Sequence, residues 1–431
     1  MPSEILEIKE RTLMVSDMAE TLIASEIIKL AGEINEKIKK GERIYNLTIG
    51  DFDSKIFPIP AKLEEEIIKA YKEGATNYPP ADGLFETREA VSKFLAEKEG
   101  LDYSPANEIL IAAGARPLIY ATYQTIVHPG DTVIFPVPSW NNNHYSHLSH
   151  AKKIEILARP ENNFMPTASD LKPYLNQAAL VALCSPLNPT GTAFTKQGLE
   201  EICELILEEN NSRDESQKPL YLMYDQIYWV LTFGGTEHYN PVSLFPEMKN
   251  YTLFIDGLSK SFAATGVRVG WTFGPSRVIG KMKSILSHLG AWAPKAEQVA
   301  AARYLSRLSD VESYLNKFKQ QVSERLEGFY NGFMELKNEG FKVDAISPQA
   351  AIYLTVQFDL HGMKKEGGAI LKNTKDITKY LLDEAKVAIV PFHAFGDSDN
   401  STWYRLSVGT CKIDEVEEVI KNLRKSLGKL S

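Results

Sequence analysis

From about residue 60 to residue 308, short and nearly continuous apolar runs alternate with stretches of helical periodicity, and no other feature restricts the fold so tightly. The runs are Ile109–Ala113, Thr132–Phe135, Lys153–Leu157, Leu180–Cys184, Leu220–Tyr224, Thr252–Ile255 and Val267–Phe273. A strand with one face in water alternates apolar and polar residues, so an unbroken run implies cover on both faces. Helical stretches between the runs include Leu84–Glu99, Pro117–Val127, Leu199–Glu209 and Gly280–His288. Strands separated by helices form a mostly parallel sheet with helices on both faces, because parallel neighbours need a long crossover.

Outside this block the pattern changes. Residues 19–40 read as one amphipathic helix stopping at Lys39, Lys40 and Gly41. A short apolar stretch, Ile44–Ile49, then enters a loop with Gly50, Asp51, Pro58 and Pro60. Residues 310–338 read as one long helix, suited to joining two domains. After it come an apolar segment at Ala351–Val356, a helix near Asp376–Lys386, a strand at Val387–Val390 and a helix from about Asp414. At 431 residues the chain exceeds one ordinary core. The expected division is 1–59 as an N-terminal arm and part of a small domain, 60–308 as a large domain, and 309–431 as the inter-domain helix and the rest of the small domain.

The net charge of −8, from 48 basic and 56 acidic residues, argues against a nucleic-acid partner and leaves room for a local basic pocket. Cys184, Cys203 and Cys411 show no metal or redox spacing, which fits a reducing compartment. The opening MPSEILEIKERTLM is charged where a signal peptide would be apolar. No run approaches the roughly twenty apolar residues of a membrane span, so a cytoplasmic protein without a membrane partner is expected.

Open α/β sheets bind ligands beyond the carboxyl ends of their strands, so the residues after each run carry the chemistry. In order these are Gly-Ala-Arg (114–116), Pro-Ser-Trp (138–140), Ser-Pro-Leu-Asn-Pro-Thr-Gly (185–191), Asp-Gln-Ile-Tyr (225–228) and Gly-Leu-Ser-Lys-Ser (257–261), with Arg268 eight residues past Lys260. A cationic phosphate site, an aromatic plate, an amide, a carboxylate and a lysine on one rim suit a phosphorylated aromatic aldehyde. His144, His147 and His150 form a run that invites a metal. On a helix, however, the outer two turn apart, and no cysteine or carboxylate joins them, so they read as a polar helix face with no metal.

With SKSFAATGVRVG (259–270), NPTG (188–191) and YRLS (404–407) in this order, the chain resembles the class I/II aminotransferases of pyridoxal-phosphate fold type I. It is most similar to their aspartate-aminotransferase-like branch, from about Ser16 to the end. The resemblance implies an α/β fold: a mostly parallel seven-stranded sheet in a large domain, and a smaller α+β domain built from both chain ends. It also implies transfer of an amino group between an amino acid and a 2-oxo acid by ping-pong half-reactions.

What the resemblance implies for individual residues agrees with their chemistry. Lys260 would carry pyridoxal phosphate as a Schiff base and, once released by substrate, move the α-proton. Lysines are ordinarily solvated surface charges, but this one follows an apolar strand. Asp225, ending a buried run, would pair with the pyridine nitrogen; its ordinary reading is a helix cap. Tyr228 and Asn188 would bond the cofactor's phenolic oxygen and keep the lysine linkage at a low pKa. The alternatives are a core tyrosine and a turn asparagine. Trp140 would stack on the ring, or else pack in the core. Arg268, Ser259 and the amides of Ala115 and Arg116 would hold the phosphate at a helix start. Tyr78 would reach the phosphate across a homodimer interface. Arg405 would grip the substrate α-carboxylate with its planar fork, against Gly50, where a side chain would clash, and Asn188 would serve the substrate as well as the cofactor.

Several positions depart from the family pattern: GDFD (50–53), Arg116 in place of a lysine, Gly257 in place of a serine, Pro-Phe-His-Ala-Phe-Gly (391–396), and PQAAIYL (348–354) without its glycine. They surround the substrate more than the cofactor. A carbon–sulfur β-lyase or other α-carbon chemistry on the same cofactor stays open, as does a non-enzymatic regulatory module.

Overall fold

The computed structural model describes residues 15–22 and 26–431; the charged opening segment lies outside them. The apolar runs become a seven-stranded sheet: β2 (Ile109–Ala112), β3 (Thr132–Val137), β4 (Lys152–Leu157), β5 (Ala178–Cys184), β6 (Tyr221–Asp225), β7 (Thr252–Gly257) and β8 (Gly270–Phe273). They follow β1 (Tyr45–Asn46) in the chain. The order across the sheet is β2-β8-β7-β6-β5-β3-β4. Only β8 runs antiparallel to its neighbours β2 and β7. Successive residues of one strand serve opposite cores, which accounts for the missing alternation. On β5, Val181 and Leu183 enter the core that contains Leu199 and Ile202, while Leu180 and Ala182 enter the one with Leu118 and Val278.

Helices cover both faces. Ala115–Ile126 and Ser276–Leu289 lie on one, Phe85–Glu99 and Lys196–Ser212 on the other. The Thr195 hydroxyl accepts the Gly198 amide at 3.1 Å and starts the Lys196–Ser212 helix. Gly100 and Gly290, both left-handed, stop the two helices that precede them.

Leu308–Asn338 is a single helix of 31 residues, roughly 46 Å long. Its buried stripe includes Val311, Leu315, Phe318, Val322, Leu326, Phe329 and Phe333 at three- and four-residue spacing. Beyond it lie β9 (Val343–Ala345), β10 (Tyr353–Phe358), β11 (Val387–Ala388), β12 (Val390–Pro391) and β13 (Trp403–Ser407). Four of these form an antiparallel sheet in the order β12-β13-β10-β9. The fifth, β11, pairs in parallel with β1, so both ends of the chain build the smaller unit.

Five expectations change in detail. The helix expected over 19–40 is interrupted: Asp17–Glu20 is a single turn closed by Thr21, whose hydroxyl donates to the Asp17 carbonyl at 2.6 Å. A second helix occupies Glu26–Lys39, and residues 23–25 lie outside the described residues. The run Val267–Phe273 is a strand only from Gly270, because Arg268 takes a left-handed φ of 58°. The stretch Val387–Val390 divides between two sheets. The segment Ala351–Val356 becomes a strand only at Tyr353, after left-handed Ala351. The helix near Asp376–Lys386 starts at Thr374 and ends in a wide turn, Leu381–Ala385, capped by left-handed Lys386.

Candidate active site

A cleft of about 640 Å³ opens at the carboxyl ends of β5, β6 and β7, a size suited to a small molecule. It collects eleven of the twelve residues singled out from sequence: Gly50, Ala115, Arg116, Trp140, Asn188, Asp225, Tyr228, Ser259, Lys260, Arg268 and Arg405. Tyr78 is the exception. It is 81% exposed and outside the cleft, its ring 5.2 Å from that of Trp292.

At one end, Gly114 takes a φ of +86° and opens the Ala115–Ile126 helix, leaving that helix's first amides unbonded within it. Arg268 lies directly against this start: a Cβ on Gly114 would sit 2.3 Å from its Nη2. The guanidinium donates to the carbonyls of Thr265 and Ala113, each at 2.7 Å. The sheet beneath is equally tight. A Cβ on Gly257 would lie 2.8 Å from the Gly270 Cα, and one on Gly270 2.5 Å from the Gly114 carbonyl carbon. Ser259 is buried at the same end.

At the other end Asp225 closes β6, opposite Cys184. Its carboxylate accepts the Ile227 amide at 3.1 Å. Burial pushes its pKa up to about 6, with that amide opposing. Lys260 stands between the two ends on the short turn Leu258–Ser261. Burial pulls its amine down to about 8, opposed by Asp51 and reinforced by Arg405, Arg116 and Arg268. Its Nζ donates to the Gly50 carbonyl at 2.5 Å. Trp140 forms a wall of the cleft, 5.6 Å from the exposed Arg116 guanidinium carbon.

Arg405 comes from β13, only 2% exposed. It donates to Asn188 Oδ1 at 3.0 Å and to the Thr48 carbonyl at 2.6 Å, while its buried Nε has no hydrogen-bond partner among the described residues. Burial depresses its pKa from the ordinary arginine value. A helix start with an arginine, a buried carboxyl with no cation beside it among the described residues, a softened lysine and a half-satisfied guanidinium together fit pyridoxal phosphate and an α-carboxylate.

The sequence model of the family described as "Aminotransferase class I and II" matches residues 42–423. The chain belongs to this family. Its sequence is 30% identical over 400 residues to an aspartate aminotransferase of Geobacillus stearothermophilus, covering 91% of this chain and 94% of that one. It is 29% identical over 421 residues to a bifunctional aspartate aminotransferase and glutamate/aspartate-prephenate aminotransferase of Petunia hybrida, covering 97% of this chain and 84% of that one. The crystal structure of an aspartate aminotransferase from Rhizobium meliloti superposes with a TM-score of 0.87 at 26% identity, over 97% of this chain and 99% of that one.

As a class I and II aminotransferase the chain is a pyridoxal-phosphate-dependent enzyme that moves an amino group between an amino acid and a 2-oxo acid in two half-reactions. Within this aminotransferase cleft the structure adds two residues that the sequence reading passed over. Tyr353 of β10 bonds the Tyr228 hydroxyl at 2.6 Å, and Asp51 accepts the Thr265 hydroxyl at 2.7 Å. A second cleft, of about 650 Å³, is lined by Glu99, His238 and Lys319 and shares none of these residues. The histidine run spans the helix Asn142–Leu148 and beyond; His147 meets the Met18 carbonyl at 2.9 Å, while His150 lies past the helix end.

Proposed function

We propose that Lys260 carries the cofactor, that Asp225, Tyr228, Asn188, Trp140, Ser259, Arg268 and the Ala115 and Arg116 amides hold it, and that Arg405 with Gly50 receives the amino acid. The observation that carries this reading is Lys260 in the middle of the cleft, with an amine pulled down to about 8 by burial. A neutral amine condenses with an aldehyde and, when freed, accepts a proton; at pH 7 an amine of this pKa is about one-tenth neutral, whereas an ordinary lysine is neutral in far less than about one part in a hundred. When bound, the cofactor supplies an electron sink for the substrate's α-carbon.

The remaining steps fall to this chain's own side chains. Arg405 would fix the carboxylate so that the α-proton faces the Lys260 amine, which would take that proton and release it to the cofactor's former aldehyde carbon, on the far side of the amino nitrogen. Asp225, held in a buried site, gains a cationic partner in the ring nitrogen and remains ionised. Tyr228 donates toward the phenolic oxygen. Tyr78, exposed and outside its own cleft, completes the phosphate site of a second copy in a homodimer. The domain division 1–59, 60–308 and 309–431 belongs to the same reading, with the cleft between the two units. Dicarboxylic amino acids are the proposed donors, supported by the aspartate-directed relatives and by Arg116 at the cleft wall. The site is proposed to work in the cytoplasm.

Borohydride reduction of the purified protein should fix a pyridoxyl group on Lys260 and on no other lysine. Lys260→Ala should lower kcat by about 10²–10⁴-fold through lost proton transfer while leaving the fold intact. A label elsewhere, or a Lys260→Ala variant of normal turnover, removes the assignment.

A further inference from the structure

Tyr353 is absent from the expected site residues, yet the structure ties it to three of them. Its hydroxyl lies 2.6 Å from that of Tyr228, and both side chains are buried. Its ring lies under the Arg405 guanidinium, whose carbon is 4.7 Å from the ring centroid. The same hydroxyl presses on Gly50, where a Cβ would sit 2.8 Å away, and the Gly50 carbonyl accepts from Lys260.

The backbone below this side chain is equally fixed. Gly191, at a φ of +71°, approaches so closely that a Cβ would lie 2.2 Å from the Tyr353 carbonyl oxygen. Two residues on, and on the same face of the strand, Thr355 donates to the Thr190 carbonyl at 2.7 Å. The strand carrying Tyr353 is therefore locked onto the 188–191 turn, and the tyrosine has little freedom to leave its place.

Two facing hydroxyls share one hydrogen bond, and one of them donates. With Tyr353 as donor, the single proton of Tyr228 is free for a third group. A hydroxyl that accepts a hydrogen bond also becomes a stronger donor. We propose that Tyr353 is a positioning residue with two duties: its hydroxyl directs the Tyr228 proton toward the cofactor's phenolic oxygen, and its ring holds the Arg405 guanidinium for the substrate carboxylate. This inference rests on the assignment of pyridoxal phosphate to Lys260.

Tyr353→Phe keeps the ring and removes the hydroxyl. The visible absorbance of the lysine-bound cofactor titrates with pH, and in Tyr353→Phe its midpoint should rise by about half a pH unit or more, because Tyr228 becomes the weaker donor. kcat should fall several-fold, while KM for the amino acid stays within about twofold because the ring remains. Tyr353→Leu, which also loses the ring, should raise KM by up to roughly tenfold. A Tyr353→Phe midpoint equal to that of the wild type overturns the proposal, whatever happens to kcat. Wild-type protein with no pH-dependent visible band and no borohydride label on Lys260 overturns the cofactor assignment, and the role of Tyr353 with it. The two failures are thus told apart by the wild type alone.

Discussion

Asp225 shows how a single buried side chain links the chemistry of the site to the stability of the chain. Its folded pKa of about 6 lies above the usual carboxylate value of 3.8. The folded state therefore holds a proton more tightly than the unfolded one. That contribution is fully present below pH 4 and is lost as pH rises through about 6, amounting to about 3 kcal/mol for the whole shift. Urea unfolding of cofactor-stripped protein should show this loss between pH 4 and 6.5, and Asp225→Asn should flatten it. Cofactor should restore stability above pH 6, where the ionised carboxylate meets a cation. Arg116 poses a separate question. It is exposed, lies against Trp140, and forms no ion pair among the described residues. If its fork receives a distal carboxylate, Arg116→Gln should reduce kcat/KM for aspartate by an amount on the order of 2–4 kcal/mol while sparing phenylalanine and leucine. Equal losses for all three would assign Arg116 to the cofactor instead.

Among the elements, the start of Ala115–Ile126 is where backbone geometry limits binding most. Gly114→Ala forces a side chain onto a φ of +86° and into the Arg268 guanidinium. Cofactor affinity should fall by about 1.5–3 kcal/mol, the scale of one charge-assisted hydrogen bond, with a smaller loss of global stability. Cofactor titration by fluorescence, alongside urea unfolding, separates the two. The strands were legible in the sequence because burial on both faces leaves a continuous apolar run, and the residues after each run were legible because sheets of this kind expose their carboxyl ends. Other features carried no such mark. The helix Lys295–Leu305 escaped notice because its buried residues, Ala296, Gln298, Ala300, Ala302 and Leu305 among them, spread around most of its circumference and are mostly small, so no apolar stripe appears. Tyr353 was hidden by its strand, where it reads as one more apolar residue before Leu354. Its role depends on Tyr228, 125 positions away.

For the whole molecule, the decisive residue is Tyr78, which stands exposed beside Trp292 at the end of a loop and touches nothing in its own cleft. Shared sites in a homodimer predict complementation. Tyr78→Phe subunits mixed with Lys260→Ala subunits should form hybrids with one intact site, restoring roughly a quarter of the wild-type sites on random pairing. Activity no higher than that of Tyr78→Phe alone would mean that each copy works independently.

The pairing of β13 with β10 also sets the order in which a growing chain becomes competent. Lys260, Arg268 and Asp225 leave the ribosome together with the large sheet, whereas Arg405 follows on the order of ten seconds later at ordinary rates of translation. During that interval a nascent chain owns every side chain of its own cleft proposed to take the cofactor, still without a second copy's Tyr78, and lacks the one proposed to seize an amino acid. On that proposal the cofactor can dock before any turnover, and the last strand to be made is the one that admits the substrate.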